Sequence, residues 1–295
     1  MINLKKLTTE QRNEKSMDLD LMKVDEIITL MNEEDLNVIT GIKKAIPSIK
    51  EVIEIGIDII KNNGRIIYVG AGTSGRLGIL DAVECPPTFG VDYNTFIGLI
   101  AGGEKAFIKA QEGAEDSKEL AIKDLEEIKV TNKDFIIGIA ASGRTPYVLG
   151  ALEYANKIGC KTASLAITNN AEISEVAQYP IEVIVGPEVI TGSTRLKAGT
   201  AQKMVLNMIS STIMIKNGKV YQNLMVDVQQ TNKKLEQRAI NIVCEATTCS
   251  QEEAINLLEQ ANGHAKTAII MHLNNCDVVQ AKKILENNQG FIRKD

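Results

Sequence analysis

The chain has 295 residues, of which 44% are hydrophobic and 24% charged, as is ordinary for a globular protein with one large domain and at most a small appendage. A net charge of −5 with interspersed basic residues, no Trp and 4% aromatics argue against a nucleic-acid partner. The polar N-terminus lacks the apolar segment of a secretion signal, and the apolar stretches are too short to span a bilayer, so we expect no membrane partner.

The five cysteines are odd in number, widely scattered and without a C-x-x-C motif. This usage is typical of reduced thiols, so we expect a cytoplasmic protein. Cys244 and Cys249 have no second pair nearby, which argues against a zinc site. The sequence therefore predicts neither a metal nor any other cofactor.

The N-terminal part of the chain is predicted to be helical after a loosely packed arm. The first thirty residues are polar with scattered apolar positions, which favours an extended arm. Residues 34–62 carry apolar positions at helical spacing and predict two helices broken near Pro47. Gly64 then ends the second helix.

Five short runs of β-branched and apolar residues follow. Their hydrophobicity is continuous rather than alternating, which indicates strands buried on both faces of a parallel sheet. Most are followed by a loop and a helical pattern, so the sequence predicts a three-layer α/β fold with about five strands. The runs are 65–70, 96–102, 135–141, 161–167 and 181–186.

The last third of the chain changes character. Residues 198–216 have a wide apolar face and predict a long core helix. A charged connecting helix at 229–246 leads to three short amphipathic helices. We expect a catalytic domain at 1–246, including the N-terminal helical arm, and a small three-helix domain at 247–295.

The stretch "YVGAGTSGRLG" contains G-x-G-x-x-G, from Gly70 to Gly75, directly after the first predicted strand. A dinucleotide-binding fold needs an acidic residue at the end of the second strand, about twenty residues further on. Here that strand ends in glycines, and Glu104 comes too late. No P-loop lysine follows the glycines either, so we expect this loop to bind a different phosphate.

Two further clusters of small hydroxyl residues follow predicted strands or precede a helix. We call "AGTSG" (71–75) the first hydroxyl loop, "SGRT" (142–145) the second, and the part of "TGSTRLKAGT" (191–200) before the long helix the third. In a parallel sheet such loops meet at one edge, where helix N-termini attract anions. The alternative is that these residues merely cap helices. The candidate phosphate ligands are Thr73, Ser74, Gly75, Ser142, Gly143, Thr145, Ser193 and Thr194.

Five long runs resemble the N-acetylmuramic acid 6-phosphate etherases. They are "YVGAGTSGRLGILDAVECPPTFG", "GLIAGGEKAFIKAQEGAEDS", "GIAASGRTPYVLGALEYA", "GPEVITGSTRLKAGTAQKMVLNMIS" and "GKVYQNLMVDVQQTNKKL". The resemblance covers about residues 14–290. Two departures are Glu14, where the family has Pro, and Thr168-Asn169-Asn170, where it has Cys-Asn-Pro. Neither touches the residues expected to do chemistry.

The resemblance implies the sugar-isomerase (SIS) fold and a cytoplasmic homodimer that recycles bacterial cell-wall sugars. The family splits the D-lactyl ether of N-acetylmuramic acid 6-phosphate into N-acetylglucosamine 6-phosphate and D-lactate. Ring opening makes C1 an aldehyde, which acidifies the C2 proton, so a base and an acid suffice for elimination and rehydration. The two histidines, His264 and His272, lie in the small domain, which leaves carboxylates with pKa values raised by burial as the natural proton carriers.

Glu84 and Glu115 are the two carboxylates that the sequence singles out. Glu84 precedes Pro86 and Pro87, which should end its helix, and Glu115 lies in an acidic cluster after the second strand. On the residues alone, the second role is open to Glu104, Glu112 or Asp116, and Glu115 could instead cap a helix. The resemblance implies that Glu84 protonates the departing lactate and activates water, and that Glu115 is the second catalytic carboxylate.

The position of Glu84 raises a question of distance. If residues 75–84 form an unbroken helix, Glu84 lies roughly 15 Å from the first hydroxyl loop, which a hexose phosphate cannot bridge comfortably. Either the chain turns back at the prolines, or Glu84 reaches the site of a partner subunit. Of the remaining polar candidates, Lys197 is the best placed to bind phosphate or the lactyl carboxylate. Arg76, Arg144 and Arg195 also flank the loops, and elimination needs no thiol nucleophile at Cys85.

Two rival functions share this fold. A phosphosugar isomerase would use the same aldehyde and the same C2 proton but would need no acid at C3. A non-catalytic regulator would sense a sugar phosphate and bind a partner enzyme, with no need for an acid/base pair. The presence of both Glu84 and Glu115 argues against the regulator.

Overall fold

The structure is a computed structural model that describes residues 10–109, 111–228 and 233–293. Its contacts divide the chain into two compact units. We call residues 1–83 and 94–210 the sheet unit, and residues 84–93 and 211–295 the helical unit. The predicted boundary between residues 246 and 247, which separates off a smaller three-helix piece, stays a prediction.

The sheet unit contains five parallel strands in the order β2-β1-β3-β4-β5. All residues of β1 and β3 are buried, so continuous apolar runs form strands covered on both faces. The predicted α/β fold with a parallel sheet is confirmed. The strands are β1 (Ile66–Gly70), β2 (Phe96–Ile100), β3 (Phe135–Ala140), β4 (Lys161–Ala166) and β5 (Tyr179–Glu182).

The last strand lies earlier in the chain than predicted. β5 pairs with the final four residues of β4, and Glu182 lies beside Ala166, where β4 ends. Beyond that point, no strand of the described part of the chain pairs with β5 to continue the ladder. Val183 and Val185 are nevertheless buried, which explains why their apolar pattern extends past the strand.

Among the described residues, seven α-helices begin in the sheet unit. The predicted long core helix is observed as α7, one residue longer at its start. They are α1 (Val24–Lys61), α2 (Gly72–Phe89), α3 (Glu104–Ile108), α4 (Lys118–Glu127), α5 (Pro146–Lys157), α6 (Glu172–Val176) and α7 (Lys197–Lys216).

The prediction of two helices broken at Pro47 is wrong, because α1 continues through Pro47 as one helix. Its buried face runs on both sides of the proline, from Val38 and Ile42 to Ile49 and Val52. Burial of this continuous apolar stripe outweighs the single hydrogen bond that proline removes. The arm is also shorter than predicted, since α1 begins at Val24, after short 3₁₀ helices at Glu14–Ser16 and Leu19–Leu21.

The prediction that Pro86 and Pro87 end their helix is also wrong. Both prolines lie inside α2, which ends at Phe89. The amide of Gly90 donates to the carbonyl of Pro86 at 2.9 Å, which closes the final turn. Gly90 has a positive φ of 62°, typical of a residue that terminates a helix.

The helical unit has its own apolar core and a small hairpin that the sequence did not predict. β6 (Val220–Tyr221) and β7 (Leu224–Met225) form the hairpin. The helices are α8 (Lys233–Thr247), α9 (Gln251–Gln260), α10 (Ala265–Asn274) and α11 (Val278–Asn287). Buried residues of α8, α9, α10 and α11 share one core. Among the described helices, none combines the length and apolar character that a bilayer span requires.

Candidate active site

The strand order places a binding crevice at the carboxyl ends of β1 and β3. The chain runs from β1 to β2 on one side and later to β3 on the other, and β1 pairs directly with both. Ligands of open parallel sheets bind where the strand order reverses in this way. The first hydroxyl loop follows β1 and the second follows β3, so the two loops leave the sheet side by side.

The first hydroxyl loop needs glycine because the backbone folds tightly onto itself. A Cβ at Gly70 would lie 2.7 Å from the Gly75 nitrogen, and a Cβ at Gly75 would lie 2.8 Å from the Gly70 oxygen. Within the described residues, the amides of Thr73 and Ser74 in the first turn of α2 donate to no protein acceptor. These unpaired amides can bind an anion.

Ser74 is buried and forms a hydrogen bond that the sequence did not reveal. Its Oγ donates to Oε1 of Gln202, on α7, at 3.0 Å. The Nε2 of Gln202 is buried and has no hydrogen-bond partner in the described part of the chain. A buried unpaired donor costs free energy, so this amide is poised to bind a group that the protein does not supply.

A buried carboxylate also links β1, α2 and α7. Asp81 accepts hydrogen bonds from Tyr68 Oη at 3.0 Å, Asn207 Nδ2 at 2.6 Å and Ser210 Oγ at 3.1 Å. Burial raises the pKa of Asp81 despite these donors. The three bonds fix α2 and α7 behind the first hydroxyl loop.

The second hydroxyl loop is also open. Gly143 has a φ of 71°, and an added Cβ there would clash with Ala171. Thr145 is the N-cap of α5 but makes no side-chain capping bond. Within the described residues, the hydroxyls of Ser142 and Thr145 are therefore free to bind a ligand.

The third hydroxyl loop differs, because the start of α7 is filled by a protein carboxylate. Glu188 accepts from the amides of Lys197 at 3.0 Å and Ala198 at 2.9 Å, and it is 1% exposed. Burial raises the pKa of Glu188, although the two amides partly oppose this shift. The N-terminus of α7 is thus already occupied by an anionic group.

Lys197 is buried and ion-paired. Its Nζ lies 2.6 Å from Glu34 on α1, which also binds Lys15 and Asn13. Burial alone would raise the pKa of Glu34, but hydrogen bonds from Lys197, Lys15 and Asn13 bring the pKa down to about 2. We expected the ammonium of Lys197 to contact the substrate. Instead, its ion pair with Glu34 joins α7 to α1 and the N-terminal arm.

The third loop nevertheless lies close to the first. A Cβ added to Gly199 would lie 3.6 Å from Thr73 Cγ2 and 3.6 Å from the Thr194 oxygen. The side chains of Ser193 and Thr194 are partly exposed. The first turn of α7, which follows the third loop, therefore lies beside Thr73 of the first loop.

Glu115 and the first hydroxyl loop line one cavity of about 200 Å³. Ala71 and Gly72 form one side, and Glu112 and Glu115 contribute the carboxylates. Asp116 and Glu104, the other candidates for the second role, are not among its lining residues. Glu115 is exposed in a short 3₁₀ helix at Ala114–Asp116, so the burial that we expected is not provided by this chain.

Glu84 is exposed on α2, and its contacts group it with the helical unit rather than with the unit that holds Glu115. The helix α2 is unbroken from Gly72 to Phe89. Glu84 therefore lies roughly 15 Å along the helix axis from the first hydroxyl loop. The chain does not turn back before Glu84. Cys85, the neighbouring residue, is buried.

The arginines that flank the loops differ in their contacts. Arg76 donates to the carbonyls of Phe107 and Ala106, both at 2.8 Å, and holds α3 against the first loop. Arg144 lies 3.6 Å from Glu172, and its buried Nε has no partner within the described residues. Arg195 is exposed.

The helical unit contains a charged cavity of about 940 Å³ that the sequence did not predict. Asp227 is one of its lining residues and lies 2.6 Å from Lys266, 3.1 Å from Lys219 and 3.3 Å from His264. Burial alone would raise the pKa of Asp227, but the neighbouring His264 imidazole and the charges of both lysines bring it to about 2. Gly90 also lines this cavity. In the sequence, Lys219 and Asp227 lie in "GKVYQNLMVDVQQTNKKL", one of the five runs that resemble the etherases, but nothing there indicated a cavity.

Two family models match parts of this chain. A model described as the glucokinase regulatory protein N-terminal SIS domain matches residues 47–156. Another, described as the C-terminal lid domain of glucokinase regulatory protein, matches residues 222–266. The first match covers β1, β2 and β3 and the first two hydroxyl loops, which confirms the SIS-type fold.

Curated relatives match along almost the whole chain. An N-acetylmuramic acid 6-phosphate etherase from Francisella tularensis subsp. tularensis is 58% identical over 290 residues, covering 98% of this chain and 99% of the relative. One of the same name from Halalkalibacterium halodurans is 59% identical over 291 residues, covering 99% and 98%.

Solved structures match about two thirds of the chain at lower identity. A phosphoheptose isomerase from Francisella tularensis has a TM-score of 0.50 and 16% identity, with coverage of 66% of this chain and 100% of that chain. One from Neisseria gonorrhoeae has a TM-score of 0.50 and 15% identity, with coverage of 65% and 98%. At these identities the likeness concerns the fold alone.

Proposed function

The chain belongs to the N-acetylmuramic acid 6-phosphate etherase family, and from that premise we propose that it cleaves the D-lactyl ether of N-acetylmuramic acid 6-phosphate. The products are N-acetylglucosamine 6-phosphate and D-lactate, formed by elimination and then hydration in the recycling of cell-wall amino sugars. The observation that carries the proposal is that Glu115 and the first hydroxyl loop line one cavity at the carboxyl edge of the sheet.

The hydroxyl loops hold the 6-phosphate. The unpaired amides of Thr73 and Ser74 and the hydroxyls of Ser142 and Thr145 supply hydrogen bonds to its oxygens. Gly75 and Gly143 keep the backbone close to the anion, and Ser193 and Thr194 close the third side. Lys197 supports the third loop through its ion pair with Glu34. No metal is needed for this binding.

The two glutamates move the protons. In the open-chain sugar, a base removes the C2 proton, and the electron pair forms a C2–C3 double bond as the C3–O bond breaks. The departing lactate oxygen takes a proton from the acid. Water then adds to C3 and a proton returns to C2. Glu115 is the C2 base, and Glu84 is the acid that later activates water.

The site is shared between two subunits of a homodimer. The unbroken helix α2 carries Glu84 away from the first hydroxyl loop of its own chain, so Glu84 acts in the site of the partner. Exposed apolar side chains along α1 favour such an assembly. Each of them is more than half exposed, and they are Val24, Ile28, Leu36, Ile39 and Ile46.

We place the enzyme in the cytoplasm. All five cysteines are free thiols, which suits a reducing compartment. The phosphorylated substrate is also retained by a cell membrane because of its charge.

The test is an assay of the purified protein with N-acetylmuramic acid 6-phosphate, in which D-lactate and N-acetylglucosamine 6-phosphate are measured separately. Equal amounts of the two products are expected. Interconversion of sugar phosphates without lactate would support the isomerase, and saturable binding without turnover would support the regulator. Either result would overturn the proposal.

Matched carboxylate variants test the roles. Glu115→Gln is expected to lower kcat by about 10²–10⁴ because a positioned base is lost. Asp116→Asn changes a neighbouring carboxylate that does not line the cavity, and it should keep activity within about twofold. Glu112→Gln changes the other lining carboxylate. A larger loss there than in Glu115→Gln would transfer the role of base to Glu112.

Subunit mixing tests the shared site. Inactive Glu84→Gln protein is mixed with an inactive first-loop variant, Ser74→Asp, which repels phosphate. If the site is shared, one of the two sites in each mixed dimer combines the intact first loop of the Glu84→Gln subunit with the intact Glu84 of the Ser74→Asp subunit. Activity should then return. No recovery in dimers proven to be mixed would mean that Glu84 acts within its own chain.

A further inference from the structure

Three side chains with metal-binding atoms meet in the helical unit. Cys249, Glu253 and His272 each present one ligand atom, and these three atoms lie within 4.8 Å of one another. Cys249 and His272 are half-buried, and Glu253 is exposed. From this geometry we propose that the helical unit binds one zinc ion through Cys249, Glu253, His272 and the neighbouring Cys244.

The spacing of the ligand atoms suits a tetrahedral ion. Nδ1 of His272 lies 3.2 Å from Oε1 of Glu253. Two ligands at the usual zinc distances of about 2.1 Å lie roughly 3.4 Å apart when they subtend a tetrahedral angle. The imidazole and carboxylate are therefore already at the separation that a shared zinc ion requires. Their contact also turns Nδ1 of the ring toward the cluster.

The fourth ligand of the proposed site is Cys244, whose sulfur is not one of the three clustered atoms, so its side chain must turn toward the ion. The thiols of Cys244 and Cys249 interact through a side-chain hydrogen bond. The two sulfur atoms thus lie within hydrogen-bonding reach of each other. Two thiols, one imidazole and one carboxylate are all groups that zinc accepts, and four protein ligands are typical of a structural rather than a catalytic site.

The site would fasten three helices together. Cys244 lies in the last turn of α8, Cys249 in the α8–α9 connection, Glu253 in the first turn of α9 and His272 in the last turn of α10. Binding releases the two thiol protons to solvent, and the ion replaces the S–H contact with two Zn–S bonds. The ion therefore stabilises the packing of the helical unit.

The sequence argued against zinc because the cysteines are not spaced as C-x-x-C and have no second pair. The structure supplies the other two ligands from α9 and α10. His272 follows Cys249 by 23 residues and Glu253 follows it by four, a spacing that matches none of the common finger motifs. Only the packing of α10 against α8 and α9 brings these residues together.

The experiment is a metal titration of the full-length protein after treatment with a chelator and a thiol reductant. Zinc is added in competition with a chromophoric chelator, and cobalt is added separately to detect thiolate-to-cobalt absorption. One zinc ion per chain, charge-transfer bands with cobalt and a rise in Tm on zinc binding are expected. Absence of stoichiometric binding in the reduced protein would overturn the proposal.

The variants Cys249→Ser and His272→Ala should each weaken zinc binding by more than the 10–100-fold typical of outer-shell changes. Glu253→Gln changes an exposed ligand, so it tests the site even if the other variants fold poorly. Cys276→Ser is the matched control, since Cys276 lies in the same unit outside the cluster. Equal loss in Cys276→Ser, or a Cys244–Cys249 disulfide that forms in air while the reduced protein ignores zinc, would contradict the proposal.

Discussion

The first two hydroxyl loops and the third look alike in sequence but differ in what occupies the helix that follows. After β1, the amides at the start of α2 have no acceptor among the described residues, and Thr145 leaves α5 without a side-chain cap. At the start of α7, Glu188 takes both amides. The third loop is closed by the protein, and the first two are open.

This difference assigns substrate binding to the first two loops and stabilisation of the fold to the third. A helix N-terminus that already holds a carboxylate has little positive potential left for a phosphate. The open loops should therefore govern affinity for the substrate, whereas the closed loop and its Glu34–Lys197 pair should govern stability. Changes in the two regions are expected to affect different measurements.

The largest effect is expected in the closed region, on stability. Glu34→Ala leaves the buried ammonium of Lys197 without its partner, which should lower the free energy of unfolding by about 3–5 kcal/mol. Glu33→Ala, its exposed neighbour, should change it by less than about 0.5 kcal/mol. Urea unfolding measures both, and equal values for the two variants would remove the distinction between the regions.

The ion pair between Glu34 and Lys197 should weaken at low pH. The folded pKa of Glu34 is about 2, below the value of 4.5 for an unperturbed carboxyl, so its contribution is complete above about pH 4.5 and is lost as the pH falls toward 2. The shift corresponds to on the order of 3 kcal/mol. The difference in unfolding free energy between the native chain and Glu34→Gln should shrink over this range. A difference that stays constant from pH 6 to pH 2.5 would contradict the assignment.

The open loops should respond through substrate affinity. Ser142→Ala and Thr145→Ala each remove one hydrogen bond to a charged phosphate, worth about 1.5–3 kcal/mol, so KM should rise about tenfold or more. Tm should change little, because neither hydroxyl is bound within the described protein. Thr200→Ala is the control, since among the described residues its hydroxyl bonds to the Leu196 carbonyl alone. A KM unchanged in both loop variants would mean that the phosphate binds elsewhere.

The smallest effect concerns the link between the two regions. Ser74 in the open loop bonds to Gln202 on α7, so Ser74→Ala and Gln202→Leu should be non-additive in KM by about 1 kcal/mol. The pair Ser74→Ala and Thr200→Ala, which share no bond, should be additive. Additivity in both pairs would mean that Gln202 does not act together with Ser74 in substrate binding.

Much of the sheet could be predicted because its strands are buried on both faces. β1, β3 and β4 begin and end within one residue of their apolar runs, since a fully buried strand excludes polar residues. The hydroxyl loops could be located for the same reason, as they begin where those runs stop.

The helices with internal prolines were mispredicted because local rules compete with burial. Pro47 and Pro86 favour a break on their own, yet the apolar faces around them keep α1 and α2 continuous. The effect of a proline depends on what the rest of the helix packs against, which a single sequence does not specify.

The partners inside the site were missed because they are distant in the chain. Ser74 and Gln202 are 128 residues apart, and Lys197 and Glu34 are 163 apart. No local pattern identifies such pairs. The sequence could name Lys197 as a charged residue near the loops, but only the fold reveals that Glu34 neutralises it.

The most direct test of the proposed chemistry is the reaction in ¹⁸O-labelled water. Elimination followed by hydration breaks the C3–O bond of the sugar, so the label should enter the C3 hydroxyl of N-acetylglucosamine 6-phosphate and leave D-lactate unlabelled. Label found in the lactate hydroxyl instead would mean cleavage on the lactyl side of the ether, and it would contradict the account.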